Sequence, residues 1–199
     1  MNYKWVDRVL CMEELLAYRK DILEGKNIRL RSVSESDQEI FAKWWNDGTI
    51  LLGNRSRLFA TYESDNQKNF HNWSNVDHKY GFGLSIENKN GDVVGHLTSF
   101  GMTLPARIAE LAICIGEEYQ GHGYGQEAMQ KGLQIVFEEL NAHKAEVRVF
   151  SYNEKAIHVY EKVGFILEGK QRAALYHHGQ YYDVLLMGIL KKEFYDNFR

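Results

Sequence analysis

The sequence of 199 residues predicts one α/β or α+β domain built on a single mixed sheet, and three observations carry that expectation. Helical and strand periodicities interleave along the chain. An Asn90-Gly91 pair separates two strand-like runs, which marks a tight hairpin. A glycine-rich segment, Gly121 to Gly125, stands between an apolar strand and an amphipathic helix.

Taken in order, residues 3–24 read as an amphipathic helix, with Val6, Val9, Met12, Leu16 and Leu23 at helical spacing and Gly25 as a stop. Asn27 to Val33 alternates apolar and polar like a half-buried strand. Ser34 with Asp37 three residues on resembles a capping box, and the helix it opens carries Ile40, Phe41, Trp44 and Trp45. Residues 49–61 show no period and read as loop, and 62–74 as a further helix. Tyr80 to Glu87 and Val93 to Phe100 form the hairpin, and Pro105 lies in the next connection. Ile108 to Ile115 is an apolar strand. Met129, Leu133, Val136, Phe137 and Leu140 mark a helix. Residues 145–150 are a strand, 153–163 a short helix, and 164–190 two strands turning at His178-Gly179.

Composition narrows the function classes. A hydrophobic content of 44% with 26% charged residues is ordinary for a globular protein. A net charge of -3 without a basic stripe argues against a nucleic-acid partner. No apolar run approaches the ~18 residues of a membrane span and no signal-peptide core is evident, so a cytoplasmic location without membrane association is expected. Two cysteines make no disulfide framework, and Cys114, inside an apolar run, reads as a small core residue. Metal-ligand spacing is lacking, so no metal is expected.

The segment Gln120-Gly121-His122-Gly123-Tyr124-Gly125-Gln126 is physically an anion site. Glycines let the backbone approach an anion, and the first turn of the following helix offers unpaired N–H groups and the positive end of its dipole. A diphosphate is the natural guest. Three alternating glycines can also be a plain flexible turn, and the spacing is not that of a dinucleotide fold.

Gln120 to Gly125 matches the pattern Q/R-x-x-G-x-G/A. Thirty-three residues after Gln120 begins a second block, Asn153-Glu154-Lys155-Ala156 through Tyr160 to Gly164-Phe165 and Gly169, which fits N-x-x-A-x-x-x-Y-x-x-x-G-F-x-x-x-G. In order and separation these two motifs resemble the GNAT superfamily of N-acetyltransferases. Residues 179–190 are similar to the last hairpin of its ribosomal-protein branch, and Glu118 to Gly121 with Asn153 to His158 to its spermidine branch. The resemblance covers about residues 27–190. It implies a mixed, mostly antiparallel sheet flanked by helices, splayed between the strands at 108–115 and 145–150. The chain is thereby divided into an N-terminal helical extension, 1–26, and an acetyltransferase domain, 27–199. It implies acetyl-CoA as cosubstrate, with backbone groups of Ile113, Cys114 and Ile115 bonding the pantetheine arm. Gln120, Gly121, His122, Gly123, Tyr124, Gly125 and Gln126 would hold the pyrophosphate. Asn153, with Glu154 and Lys155 beside it, would meet the cofactor arm, and Tyr160 the thioester sulfur.

Aminolysis of a thioester needs a neutral amine, a stabilised oxyanion and a proton for the departing thiolate. A lysine-like or polyamine ammonium has a pKa of ~10.4 and an α-amine ~7.7–8.0, while the thiol lies near ~8.5. Tyr160 could supply the proton, or simply pack on Phe165. Glu110, on the strand beside the thioester, could act as base through water, or pair with Arg107. His122, His177 and His178 are expected to face water. Trp44 and Trp45 could line an acceptor cavity or lie in the core. The N-terminal helix is expected to cover the sheet or build an oligomer contact. The expected activity is transfer of acetyl to a primary amine by direct attack, the acceptor being a protein N-terminus or a small amine. A polyamine acetyltransferase and a non-catalytic CoA sensor remain alternatives, and a homo-oligomer is possible.

Overall fold

A computed structural model describes residues 10–198. Seven strands form one sheet in the order β1-β2-β3-β4-β5-β7-β6. They are β1 (Ile28–Ser32), β2 (Phe82–Asn88), β3 (Val93–Thr103), β4 (Ile108–Ile115), β5 (Lys144–Phe150), β6 (Ile166–His177) and β7 (Gln180–Leu190). Every pair is antiparallel except β4 and β5. The helices are α1 (Met12–Leu23), α2 (Glu35–Trp44), α3 (Gly48–Asn54), α4 (Glu63–Ser74), α5 (Tyr124–Gln134), α6 (Glu154–Lys162) and α7 (Lys191–Phe198). A π-helical turn, Ile135–Glu139, prolongs α5.

Local chemistry explains the element ends. Ser34 Oγ accepts from the Asp37 amide at 3.3 Å, and Asp37 accepts from the Ser34 amide at 2.9 Å, closing the expected capping box. Asp37 does more than cap. It also accepts from Arg31 at 2.6 and 3.1 Å and from Ser85 at 2.7 Å. Burial opposes its ionisation, but these bonds prevail and hold its pKa at about 2. The pair ties α2 to β1 and β2, and breaking so buried an ion pair costs about 3–5 kcal/mol. Asn88 shapes the β2–β3 turn by accepting from the amides of Asn90 and Asp92, both at 2.9 Å. At the β6–β7 turn His178 and Gly179 both have positive φ, the geometry a two-residue hairpin requires.

The sheet separates two cores. On one face α5, its π turn, α6 and α7 bury Leu97, Leu111, Met129, Leu133, Phe137, Val147, Val149 and Tyr160. On the other, α2, α3 and α4 enclose Phe41, Trp44, Ile50, Phe70 and Cys114. The parallel pairing of β4 with β5 lasts only from Ile108↔Lys144 to Glu110↔Glu146. Beyond Glu110 the two strands part, which is the expected splay.

Three local expectations need correction, and one element was not foreseen. Within the stretch 49–61, read as loop, residues up to Asn54 belong to α3 (Gly48–Asn54). His177, expected in water, is buried against Tyr152 and Tyr182. Only the end of the N-terminal helix packs on the sheet: Ile22 is buried and Leu23 lies against the main core, while Met12 and Leu16 are exposed. Elsewhere α1 leans on α5 and its π turn through Lys131 to the Asp21 carbonyl and the Tyr18 hydroxyl to Glu139. Val6 and Val9 lie outside the described residues. Finally α7, which no period announced, closes the chain with Phe194 on Phe137.

Candidate active site

The glycine loop forms a cradle of open amides. Gly121 and Gly123 have φ of 82° and 81°, and a Cβ on either would meet nothing within 4 Å. Gly123 is the left-handed residue that opens α5. The first backbone bond of the helix runs from Glu127 to Gly123, so among the described residues the amides of Gly121 to Gln126 have no backbone acceptor. The one acidic side chain in that turn, Glu127, is held by the amide and side chain of Asn27 at 3.0–3.2 Å. What is left is a positive helix end suited to a diphosphate. His122 is exposed and stacks on Tyr124, centroids 5.6 Å apart. The Gln120 amide donates to Thr49 Oγ1 at 3.1 Å and to the Ile115 carbonyl at 3.3 Å.

Beside the cradle lies the split. Ile113, Cys114 and Ile115 pair with Leu97, His96 and Gly95 of β3 on one edge. Their other edge has no strand partner, because β5 has diverged. An extended pantetheine arm fits such an edge. Across the split, Asn153 caps α6 by accepting from Ala156 at 3.2 Å, with Glu154 and Lys155 exposed in the first turn.

Strand alternation sorts the remaining candidates onto opposite faces. Tyr160 packs with Leu111, Val147 and Val149 on the α5–α6 face, its ring 5.8 Å from Phe165. Its hydroxyl has no hydrogen-bond partner among the described residues, and burial pushes its pKa up to about 12. Glu110 lies on the other face, exposed, with no ion pair or hydrogen bond among the described residues; the Arg107 pairing is not formed. Its neighbour Glu146, directly across the β4–β5 pairing, is bound by Lys144 at 2.8 Å, and Lys144 also reaches Glu168. Burial works against the Lys144 ammonium, but the two carboxylates keep its pKa raised.

Two cavities open on this face and share Phe100. The inner one, about 300 Å³, is walled by Trp45, Phe70 and Trp73, by His96 and Cys114, and by Arg148 and Phe150 across the split. Burial pushes the Cys114 thiol up to about 12 and His96 down to about 4, so both stay neutral near pH 7. The two tryptophans divide the expected roles: Trp45 lines the cavity and Trp44 lies in the core. The outer cavity, about 450 Å³, sits over the closed end of the split and is lined by Asp77, Glu110 and Glu146 with Tyr80 and Phe100. Asp77, Glu146 and Arg148 were not singled out from sequence. Parity along β5 offered a signal for two of them, since Glu146 and Arg148 alternate with the core residues Val147 and Val149. Among the described residues no group of three or more His, Cys, Asp or Glu could hold a metal ion. No helix there is long and apolar enough to cross a membrane.

Comparison with known proteins gives the same outline. A family model described as an acetyltransferase (GNAT) domain matches residues 27–166. The chain is 30% identical to the spermidine N(1)-acetyltransferase of Vibrio cholerae over 172 residues, 86% of this chain and 92% of that one. It is 32% identical to the putative ribosomal N-acetyltransferase YdaF of Bacillus subtilis, over 52% of this chain and 57% of that one. A crystal structure of the Vibrio cholerae spermidine N-acetyltransferase in complex with CoA and spermine superposes with a TM-score of 0.73 at 26% identity, covering 86% of this chain and 99% of that one.

Proposed function

This chain belongs to the GNAT family and is an acetyl-CoA-dependent N-acetyltransferase, and from that premise we propose that its acceptor is a polyamine of the spermidine type. The observation that carries the proposal is the outer cavity. Three carboxylates, Asp77, Glu110 and Glu146, line it, and Lys144, which pairs with Glu146, is already shared with Glu168. Glu110 and Glu146 stand on neighbouring strands, about 4.8 Å apart in a sheet, so their like charges favour an ammonium between or above them. Tyr80 and Phe100 add aromatic surface suited to a cation. An acceptor with several ammonium groups answers this charge better than a protein N-terminus, which brings one. The similarity to spermidine acetyltransferases supports the same direction.

When bound, acetyl-CoA supplies the activated acetyl group. The amides of Gly121 to Gln126 hold its diphosphate, and the free edge of Ile113 to Ile115 aligns its arm in the split, with Asn153 on the far lip. At pH 7 an amine of pKa ~10.4 must lose a proton at a cost of about 4.6 kcal/mol before it can attack. Glu110, on the acceptor face and without a hydrogen bond or ion pair among the described residues, takes that proton through water. Tyr160, on the cosubstrate face, holds the proton that the thiolate needs. Acid and base thus stand on opposite faces of the split through which the two substrates meet.

The test is thiol release from acetyl-CoA with spermidine, spermine, single-charge alkylamines and N-terminal peptides. A kcat/KM for spermidine at least about tenfold above that for a monoamine is expected. A preference for peptides, or no ordering by acceptor charge, would overturn the polyamine reading.

A further inference from the structure

The short helix α3 touches both lips of the split. On one lip Thr49 Oγ1 accepts from Gln120 Nε2 at 3.1 Å, within the loop of open amides. On the other the Leu52 carbonyl accepts from the Tyr152 hydroxyl at 2.8 Å, just past the end of β5. Gly53 lies so near the same lip that a Cβ there would stand 2.9 Å from Asn153 Nδ2. The second proton of the Gln120 amide goes to the Ile115 carbonyl, on the strand edge beside the split. Both protons of this side chain are therefore engaged inside the protein. A position that defines the phosphate-loop motif uses its side chain to latch α3.

The other side of α3 belongs to the acceptor. Ile50 packs into the aromatic core with Phe41, Trp44 and Phe70, and Gly53 and Asn54 form part of the inner cavity wall. A seven-residue helix has little stability alone, since helix nucleation is unfavourable and isolated helices under about 12 residues are marginal in water. Its position is set by its attachments. Besides the packing of Ile50, its hydrogen bonds are to Gln120, at the start of the glycine loop, and to Tyr152, next to Asn153.

We propose that α3 is a clasp that couples the two substrates, with Thr49 and Tyr152 as positioning residues that act through it. Binding of CoA steadies the loop at Gln120 and the turn at Asn153, the latches fix α3, and α3 sets the wall of the inner cavity. The coupling is reciprocal, so the acceptor tightens CoA by the same factor that CoA tightens the acceptor. This inference rests on the reading that the acceptor occupies the cavities on the α2–α4 face.

Two measurements on the full chain test it. Hydrogen exchange with and without free CoA reads the clasp directly and needs no acceptor. Slower exchange of the amides of residues 48–54 with CoA is expected, with the protection lost in Tyr152→Phe, which keeps the ring against Phe150 and Tyr182. The second is the dissociation constant of spermidine, or of whichever amine proves to be turned over, with and without CoA. A tightening by CoA of about fivefold or more is expected, falling to near one in Tyr152→Phe and Thr49→Val and restored in Thr49→Ser. Exchange at 48–54 that ignores CoA, or coupling that survives in both variants, would overturn the clasp. Failure of every polyamine as substrate would instead overturn the acceptor reading and leave the exchange result to decide for or against the clasp.

Discussion

Replacing Tyr160 with phenylalanine is expected to lower kcat by about 10²-fold or more while leaving the KM for acetyl-CoA within about a factor of two. The ring is buried, with 6% of its surface exposed, and it packs on Phe165 at 5.8 Å, so phenylalanine fills the same space. Only a hydroxyl that has no hydrogen-bond partner among the described residues is removed, a change that is nearly neutral for stability. Activity, by contrast, loses its acid. Burial holds the phenol at about 12, so it stays protonated across neutral and mildly alkaline pH and can donate a hydrogen bond to the sulfur as charge develops there, although complete proton transfer to a thiolate whose conjugate thiol lies near ~8.5 runs uphill. The sign of the pH effect follows. Wild-type kcat should show no loss attributable to Tyr160 until pH approaches 12, because the acid is lost only as it deprotonates. Steady-state kinetics and thermal melts on both proteins check this. An unchanged kcat in the variant would reduce Tyr160 to a core residue.

Glu110→Gln should lower kcat/KM at pH 7 by about 10²-fold, and the deficit should shrink as pH rises. The amide keeps the size of the side chain but cannot take a proton from the attacking ammonium. The neutral fraction of an amine with pKa ~10.4 grows about tenfold per pH unit below that value, so alkaline solution supplies what the base no longer does. A pH–rate profile with spermidine separates this role from a purely electrostatic one. If Glu110 only attracts the acceptor, KM rises, kcat holds, and the ratio of variant to wild type does not move with pH.

Much of this arrangement could be read from residues close together in sequence. The Ser34–Asp37 box, the Asn88 to Gly91 turn and the extent of β4 each depend on neighbours within a few positions. The cradle of Gly121 and Gly123 is of the same kind, since positive φ and a helix start are local properties. What escaped depends on distant partners. The stretch Thr49-Ile50-Leu51-Leu52-Gly53 has no helical period, and its helix is fixed by Gln120 and Tyr152, far along the chain. His177 stands next to a turn, where water is the simplest expectation, yet Tyr152 and Tyr182 enclose it. Met12 and Leu16 have the spacing of a buried stripe but are exposed; α1 is attached by Ile22 and Leu23 at its end and by the polar contacts of Tyr18 and Asp21. The acidic cavity shows the same limit. Glu110 on β4 and Glu146 on β5 are set side by side by the parallel pairing at the closed end of the split, and Asp77 reaches the same chamber from the connection between α4 and β2.

The central claim is that this acetyltransferase selects its acceptor by the charge of that chamber, and its most direct test is a specificity ratio. The kcat/KM for spermidine divided by that for a monoamine of similar length should be measured in the wild type and in Asp77→Asn/Glu146→Gln, which leaves Glu110 and Tyr160 in place. A ratio of about ten or more in the wild type that falls to near one in the variant, with monoamine turnover retained, is the expected result. A ratio that the two substitutions leave unchanged would contradict the account.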